Sequence, residues 1–444
     1  MFSSKPVPFA SSGVEKMVYD NRMGPQSLWC DEKIFTVYHA SNATDFRGHP
    51  HIINYNISKA SWSEPVQIGT VQGYDHHFAP VLWRDFSGWL HVLYNCHGRD
   101  GGIHLVSKKP EAMEEWEEAP SIASSVSYPR IFSLSDQKIL IYFRTFGHMG
   151  YWGYQISNDG GFTWRRPLVP LVDFDQNPQV SLDTWACTYH SVQLSPDKGT
   201  LHISFCYMDE RKSPNPIYLN SRKPTVYRYN LYYLYLEIKS GKLYGPDGIE
   251  VHQPVNRASA ESCKIWNTEH RNVGQAAILV DKKQKNATDG SVAFIVPVSG
   301  NSPAECAFYF VRRKRGVWDK ILITETNDIW SGSHLTRESD GTIVAYLTVG
   351  VSDSSSLRYG GGLIEEWRSN DEGETWVKHS QLVPDSNLLY NNPKPVEFPD
   401  STEVPRCLTF FGWQGPEGLE TPQNPDRSHS NNGRAYLWND GDWL

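Results

Sequence analysis

The sequence predicts an all-β protein, a seven-bladed β-propeller with Asp-box turns. Three observations lead there. Aromatic residues make up 13% of the 444, with 16 Trp and 23 Tyr against 6 Met, a balance that favours strands over helical bundles. Seven pairs of strand-like runs recur along the chain, spaced by about fifty to sixty residues, the length of one four-stranded blade with its loops. Two turn sequences, Ser157 to Trp164 and Ser369 to Trp376, are near copies of each other.

Each element has a local reason. In SNDGGFTW and SNDEGETW, Ser and Asp can hold nearby backbone N–H groups, Gly supplies positive φ, and Trp can pack back under the turn. This is the Asp-box that joins the outer strands of propeller blades, and its role is structural. The first strand of each pair is read at 33–40, 89–97, 138–146, 200–208, 291–298, 342–350 and 406–413. The second strands are read in HIINYNI, GIHLVSK, YWGYQIS, LYYLYLEI, AFYFVRR, GLIEEWR and RAYLWND. Helical periodicity is confined to one short candidate, PEAMEEWEE at 110–118. No Ser/Gly tract or charge run interrupts the chain, so residues 1–444 are read as one catalytic propeller domain.

Composition removes several function classes. A net charge of −8 gives no general pull toward nucleic acid or anionic membranes. An anionic substrate would have to be held by local arginines. No apolar run is long enough to span a bilayer, and the N-terminus lacks a hydrophobic signal core. Sequons at Asn42, Asn56 and Asn286 point to an exported, extracellular protein, expected to be a monomer. The seven cysteines show no CxxC spacing, so neither a zinc ribbon nor a redox motif is indicated, and buried apolar packing is expected for most.

Propellers bind ligands where loops and inner strand ends converge, so residues far apart in sequence can share a site. His77, in GYDHHFAP, and His97, in NCHG, bracket one hairpin, and pairing of its strands would bring both imidazoles to one end. Tyr128 and Arg144 flank the next strand–turn–strand in the same way. These four are the candidate catalytic residues. His76, Tyr189, His190, Arg211 and Arg228 are candidate substrate contacts, several of them beside or within a polar insertion, with Arg222, that is longer than a hairpin needs. Trp185, Trp266, Trp330 and Trp413 could stack on sugars, but most Trp in a propeller is core, and none is treated as a site residue.

His, His, Tyr and Arg together suit removal of the proton α to a uronate carboxylate. Arginine stabilises the carboxylate-derived anion and keeps its own proton. A neutral His or a Tyr takes the C5 proton while a neighbour protonates the leaving glycosidic oxygen. The scheme requires no cofactor.

At DHHFAP, NCHG and SYP…YFR the chain resembles the seven-bladed ulvan lyases and the related L-rhamnose-α-1,4-D-glucuronate lyases acting on gum arabic. The resemblance implies cleavage of a rhamnosyl bond to C4 of a uronate by β-elimination. It places His77 and His97 as the active-site histidines, Tyr128 as the tyrosine and Arg144 as the carboxylate-neutralising arginine. Phe78 stands where ulvan lyases tend to have Asn, which favours the terminal-rhamnose substrate. Some relatives hold a structural metal; Cys263 and His270 are two residues only, and no metal site is assigned. Three rival readings remain open at this level. A sialidase-type glycosidase would need an arginine triad and an acidic pair. A rhamnosidase could act on the same linkage by hydrolysis, and a lectin would repeat its ligand sites in several blades.

Overall fold

The structure is a computed structural model. It describes residues 6–444 apart from 15–17, 43–44, 74, 99, 135–136, 148–149, 165–168, 175–185, 210–226, 270, 282–290, 301–304, 351–360, 384–387, 399–405 and 415–432. All seven predicted strand pairs are present as adjacent antiparallel strands. The short helical candidate at 110–118 is not a helix. Its residues form a turn and the outer strand Trp116–Glu118, where the Trp116 indole donates to Met113 O at 2.7 Å and Met113 is buried. Anchoring these two apolar side chains in the sheet outweighs the weak helical preference of a Glu-rich run.

The chain divides into two compact units. One comprises residues 1–147, 152–169 and 384–444; the other comprises 148–151 and 170–383. In the first unit a complete four-stranded antiparallel blade runs Val81–Arg84, Leu90–Tyr94, Ile103–Ser107 and Trp116–Glu118. Its inner strand Leu90–Tyr94 is buried at every position, because apolar residues pack against both faces, whereas the outer strand is largely exposed. Leu28, Phe35, Val37 and Ile52 of the preceding blade close with Leu82, Leu90, Val92 and Tyr94 into one apolar cluster. In the second unit Ile295, Phe308 and Phe310 meet Leu335, Ile343 and Leu347 in the same manner. Blade faces are thus the core, which is why central strands read as continuous apolar runs rather than alternating ones.

The Asp-boxes fold alike. In each, the Gly N–H four residues on donates to the Ser Oγ at 2.8 Å, and the Thr N–H donates to the Asp carboxylate at 2.9 Å. They also do more than join outer strands. Gly161 lies against Trp83 of the preceding blade, whose indole N–H donates to Gly160 O at 3.0 Å. Gly373 lies against Phe310 in the same way, with Trp376 edge-on to that ring. The seven cysteines are all buried, and no two of them form a disulfide.

Two innermost strands of the first unit share an irregularity. Register slips between Ser127 and Arg130, and again between Asn391 and Lys394. Inside each bulge a residue with positive φ, Tyr128 at 57° or Asn392 at 54°, precedes a proline. Proline has no N–H to give a ladder and is tolerated where pairing is already broken.

The docking of Gly161 is testable. A Cβ there would stand 2.6 Å from Trp83 Nε1, whereas one at Gly341, also at positive φ, meets nothing within 4 Å. Gly161→Ala is expected to cost about 1–3 kcal/mol more than Gly341→Ala in urea unfolding. Equal losses would show that the box does not dock on Trp83.

Candidate active site

The site is built in the first unit, from the bottom up. Asp75 caps the short 3₁₀ turn His76–Phe78 by accepting the His77 N–H at 3.0 Å. The same carboxylate oxygen accepts His77 Nδ1–H at 2.5 Å. Phe78 O accepts the Asn95 N–H at 3.1 Å, which ties the turn to the end of strand Leu90–Tyr94. There Asn95 and Gly98, both at positive φ, reverse the chain and bring His97 alongside. The rings of His77 and His97 stack with centroids 4.1 Å apart and planes within 6°.

With Nδ1–H given to Asp75, His77 Nε2 is an acceptor. Tyr128 OH donates to it at 3.2 Å and Arg22 Nη2 at 3.1 Å. The bulge described above is what aims Tyr128 at this atom. Ser127 pairs with Arg144 across the sheet, and Arg144 pairs with Trp152. The Arg144 guanidinium lies 4.9 Å from the Tyr128 ring centre and 5.9 Å from that of Trp152. Arg144 is fully buried, so its charge acts from beneath the phenol rather than from an open surface.

The structure therefore brings His77, His97, Tyr128 and Arg144 together. His76 joins them, its Nε2 3.3 Å from Asp20. Tyr189 and Arg228 pair in the second unit, where the Arg228 guanidinium is sandwiched between the rings of Tyr189 at 3.8 Å and Trp330 at 4.1 Å. His190 is buried, hydrogen-bonded to Thr188 Oγ1 at 2.7 Å and stacked on Phe205. Arg211, Arg222, Trp185 and His270 lie outside the described residues.

Sequence reasoning quoted Asp75 only as part of its motif, without a role, and missed Asp20 and Arg22 altogether. Arg22 ion-pairs with Asp20, Nε donating to Oδ1 at 2.8 Å, and its guanidinium rides 4.2 Å from the Tyr128 ring centre. They sit before the first blade's strands, in a segment without strand pattern or motif. That segment is anchored from the far end of the chain. Buried Lys394 donates to Asp20 O at 2.7 Å, to Gln26 Oε1 at 2.9 Å and to Met23 O.

Electrostatics sort the groups. Burial pushes His77 well below the usual imidazole range, and the charge of His76 reinforces this against Asp75. Burial also lowers His97, to about 4, opposed by Asp75 and reinforced by Arg144. Burial alone would raise Asp20 and Asp75. The Arg22 charge holds Asp20 well below the ordinary carboxylate range, and the partner histidines do the same for Asp75. At neutral pH the arrangement is two neutral imidazoles, two carboxylates and two guanidiniums. Asp20, His76 and His77, like Asp75, His77 and His97, are close enough for one cation. The fit is poor. The stacked rings hold the lone pairs of His77 and His97 in separate parallel planes, so one ion cannot lie in the plane of both rings, and Arg22 places its positive charge on His77 Nε2.

Comparison with known proteins supplies a family and relatives. A family model described as BNR repeat-containing family member matches residues 35–326, and the chain belongs to that family. It is similar to Ulvan Lyase-PL25 of Pseudoalteromonas sp. (strain PLSV), 23% identical over 378 residues that cover 77% of this chain and 72% of the relative. It is also similar to the ulvan lyase of Alteromonas sp. (strain LOR), 24% identical over 234 residues, covering 48% of this chain and 47% of the relative. Among solved structures, a PL25 ulvan lyase bound to -[GlcA(1-4)Rha3S]- superposes with a TM-score of 0.76, over 98% of this chain and 96% of that one, at 17% identity. The polysaccharide lyase Uly1 gives 0.64 over 98% and 99%, at 11% identity. These two likenesses show the fold, an all-β propeller. With its family and curated relatives, the chain is a polysaccharide lyase.

The His77 tautomer can be checked directly. In ¹⁵N spectra near pH 7 His77 should be neutral with its proton on Nδ1. Asp75→Ala should lose the cap, about 1 kcal/mol, and populate the Nε2–H tautomer. An unchanged His77 signal would show that Asp75 does not set it.

Proposed function

We propose that the chain cleaves a rhamnosyl-α-1,4-glucuronate linkage by β-elimination, with the terminal rhamnose of arabinogalactan-type glycans such as gum arabic as the leaving sugar. The observation that carries the reading is a neutral His77 whose Nε2 faces Tyr128 OH, with His97 stacked alongside and two guanidiniums behind the phenol. This set of groups has what the reaction needs. Positive charge from Arg144 and Arg22 stabilises the anion formed when the C5 proton leaves, an effect of roughly 10²–10³ for one well-placed donor. The Tyr128–His77 pair and the exposed edge of His97 are two proton-handling groups. One takes the C5 proton; the other protonates O4 as the C4–O4 bond breaks and the C4–C5 double bond forms.

Hydrolysis fits less well. A glycosidase needs a carboxyl group held protonated as general acid, and here both Asp20 and Asp75 are held ionised. Ulvan is the second substrate reading, favoured by the relatives that act on it. Phe78 packs against the apolar cluster that contains Leu82 and Tyr94, so it reports on packing behind the turn, and choice between the two polymers falls to assay. Export, read from the sequons, belongs to the same proposal.

Incubation with gum arabic should release rhamnose and raise absorbance near 235 nm together; rhamnose without absorbance would mean hydrolysis. Tyr128→Phe keeps the ring between its neighbours and should lower kcat by about 10²–10⁴ with unfolding unchanged. Arg144→Lys, which keeps the charge but loses the planar fork, should also fall. Near-normal turnover in both would refute the assignment.

The pH profile has a defined sign. The reaction uses neutral imidazole, and His97 takes up a proton only at about 4. Thus kcat/KM should hold from neutrality into mildly acidic solution and fall with a midpoint near that value. An acid limb centred on an ordinary histidine, about 6.5, would contradict it.

A further inference from the structure

The fold leaves one large apolar side chain uncovered beside the site. Phe146 follows Arg144 by two residues and is 53% exposed. Its φ of 49° lies in the left-handed region, where glycine would be accommodated more easily. The exposure serves no packing, and an uncovered aromatic ring recurs where a side chain is displayed for a ligand.

Its position is held tightly relative to His97. The Phe146 N–H donates to Ser125 Oγ at 2.7 Å, and the same hydroxyl donates to Gly98 O at 2.7 Å. Ser127 Oγ accepts the Gly98 N–H at 3.0 Å. Ser125, just before the strand Ser127–Ser133, and Ser127 at its start thus join the turn after His97 to the turn after Arg144. Gly98 and Gly147 face each other, a Cβ on Gly147 standing 3.7 Å from Gly98 Cα, and a Cβ on Gly98 meeting nothing within 4 Å. The result is a patch of backbone without side chains at Gly98 and Gly147, directly after His97 and joined through Ser125 to the residue that carries the Phe146 ring.

We propose that Phe146 is a stacking platform for the neutral sugar bonded to the uronate, with Gly98 and Gly147 as the floor beneath it. The inference rests on the lyase reading and deepens it. A pyranose has an apolar C–H face, and a 6-deoxyhexose adds a methyl group, so an exposed ring beside the bond-breaking groups can bind it without polar partners. Phe146 touches the sugar and handles no proton, so it governs affinity rather than chemistry.

The test compares wild type with Phe146→Ala, Phe146→Gly and Phe146→Trp. On gum arabic, followed at 235 nm, the Ala and Gly variants should raise KM by about tenfold, the scale of one aromatic contact, with kcat within about twofold. Trp should restore KM. The Gly variant relieves the backbone conformation and should unfold no earlier than wild type, so its loss of affinity cannot be a loss of fold. Unchanged KM in Ala and Gly overturns the proposal, as does a fall confined to kcat. If wild type forms no unsaturated product, the lyase reading fails. Calorimetric titration with a rhamnose–glucuronate oligosaccharide then decides the platform: weaker binding by Phe146→Ala supports it, and equal binding or none by either protein overturns it.

Discussion

The hydrogen bond from His77 Nδ1 to Asp75 is the constraint on which the site depends. One carboxylate caps the turn that presents His77 and also chooses its tautomer. Only with the proton on Nδ1 can Nε2 accept from both Tyr128 and Arg22. With the proton on Nε2, an N–H would face the donors of a guanidinium, and the 3.1 Å approach of Arg22 Nη2 to His77 would be repulsive. A bond between residues two apart in sequence therefore organises contacts with residues more than fifty positions away. Burial completes the effect by keeping the imidazole uncharged, since a second positive charge beside Arg22 in a low-dielectric setting is strongly unfavourable.

Local charge has to do what the overall charge cannot. The chain carries a net −8, so its long-range field does not draw in a polyanion. Around the site, Arg22 has Asp20 as partner, and Arg130 has Glu397, 3.4 Å away. Lys394 is different. Its ammonium is met by two main-chain carbonyls and an amide oxygen, and burial pushes its pKa well below the lysine range. That choice of partners makes Lys394 a tether for the chain segment 20–26, which carries Asp20 and Arg22, more than a source of field. A residue near the C-terminus thereby places two near the N-terminus. Positive potential at the site then comes from the two arginines stacked against Tyr128, where positive charge favours any negative charge developing on the phenol oxygen.

How much of this was legible in the sequence follows from the range of the interactions. Strand pairs were legible because burial on both blade faces leaves mostly apolar runs, as at Leu90–Tyr94, broken by His91 alone, and at Val292–Ser299. The Asp-boxes were legible because their hydrogen bonds span four residues. His77, His97, Tyr128 and Arg144 could be placed because each stands at the end of such a strand, so pairing alone brings them near one another. Asp20 and Arg22 were not legible. They occupy a segment without periodicity, and what locates them is a lysine more than 370 positions away. The helix read at 110–118 failed for a related reason: local propensity favoured it, and the burial of Met113 with the Trp116 indole bond opposed it.

The bulge at Tyr128 shows how a repeated scaffold makes a unique site. Ser-Tyr-Pro-Arg at 127–130 and Asn-Asn-Pro-Lys at 391–394 both break register, each with a left-handed residue before the proline and a cation after it. The two cations even converge, Arg130 and Lys394 both donating to Met23 O. The backbone device is therefore part of the repeat and not of the chemistry. At one copy the left-handed residue is Asn392, whose carbonyl accepts from Tyr19 OH at 2.9 Å and so serves packing. At the other it is Tyr128, and the same backbone turn points a phenol at His77. The strain of a left-handed, non-glycine residue is common to both positions, so the propeller tolerates it without reference to function. What distinguishes the reactive copy is only the side chain placed there and the histidines that the neighbouring blade brings to meet it.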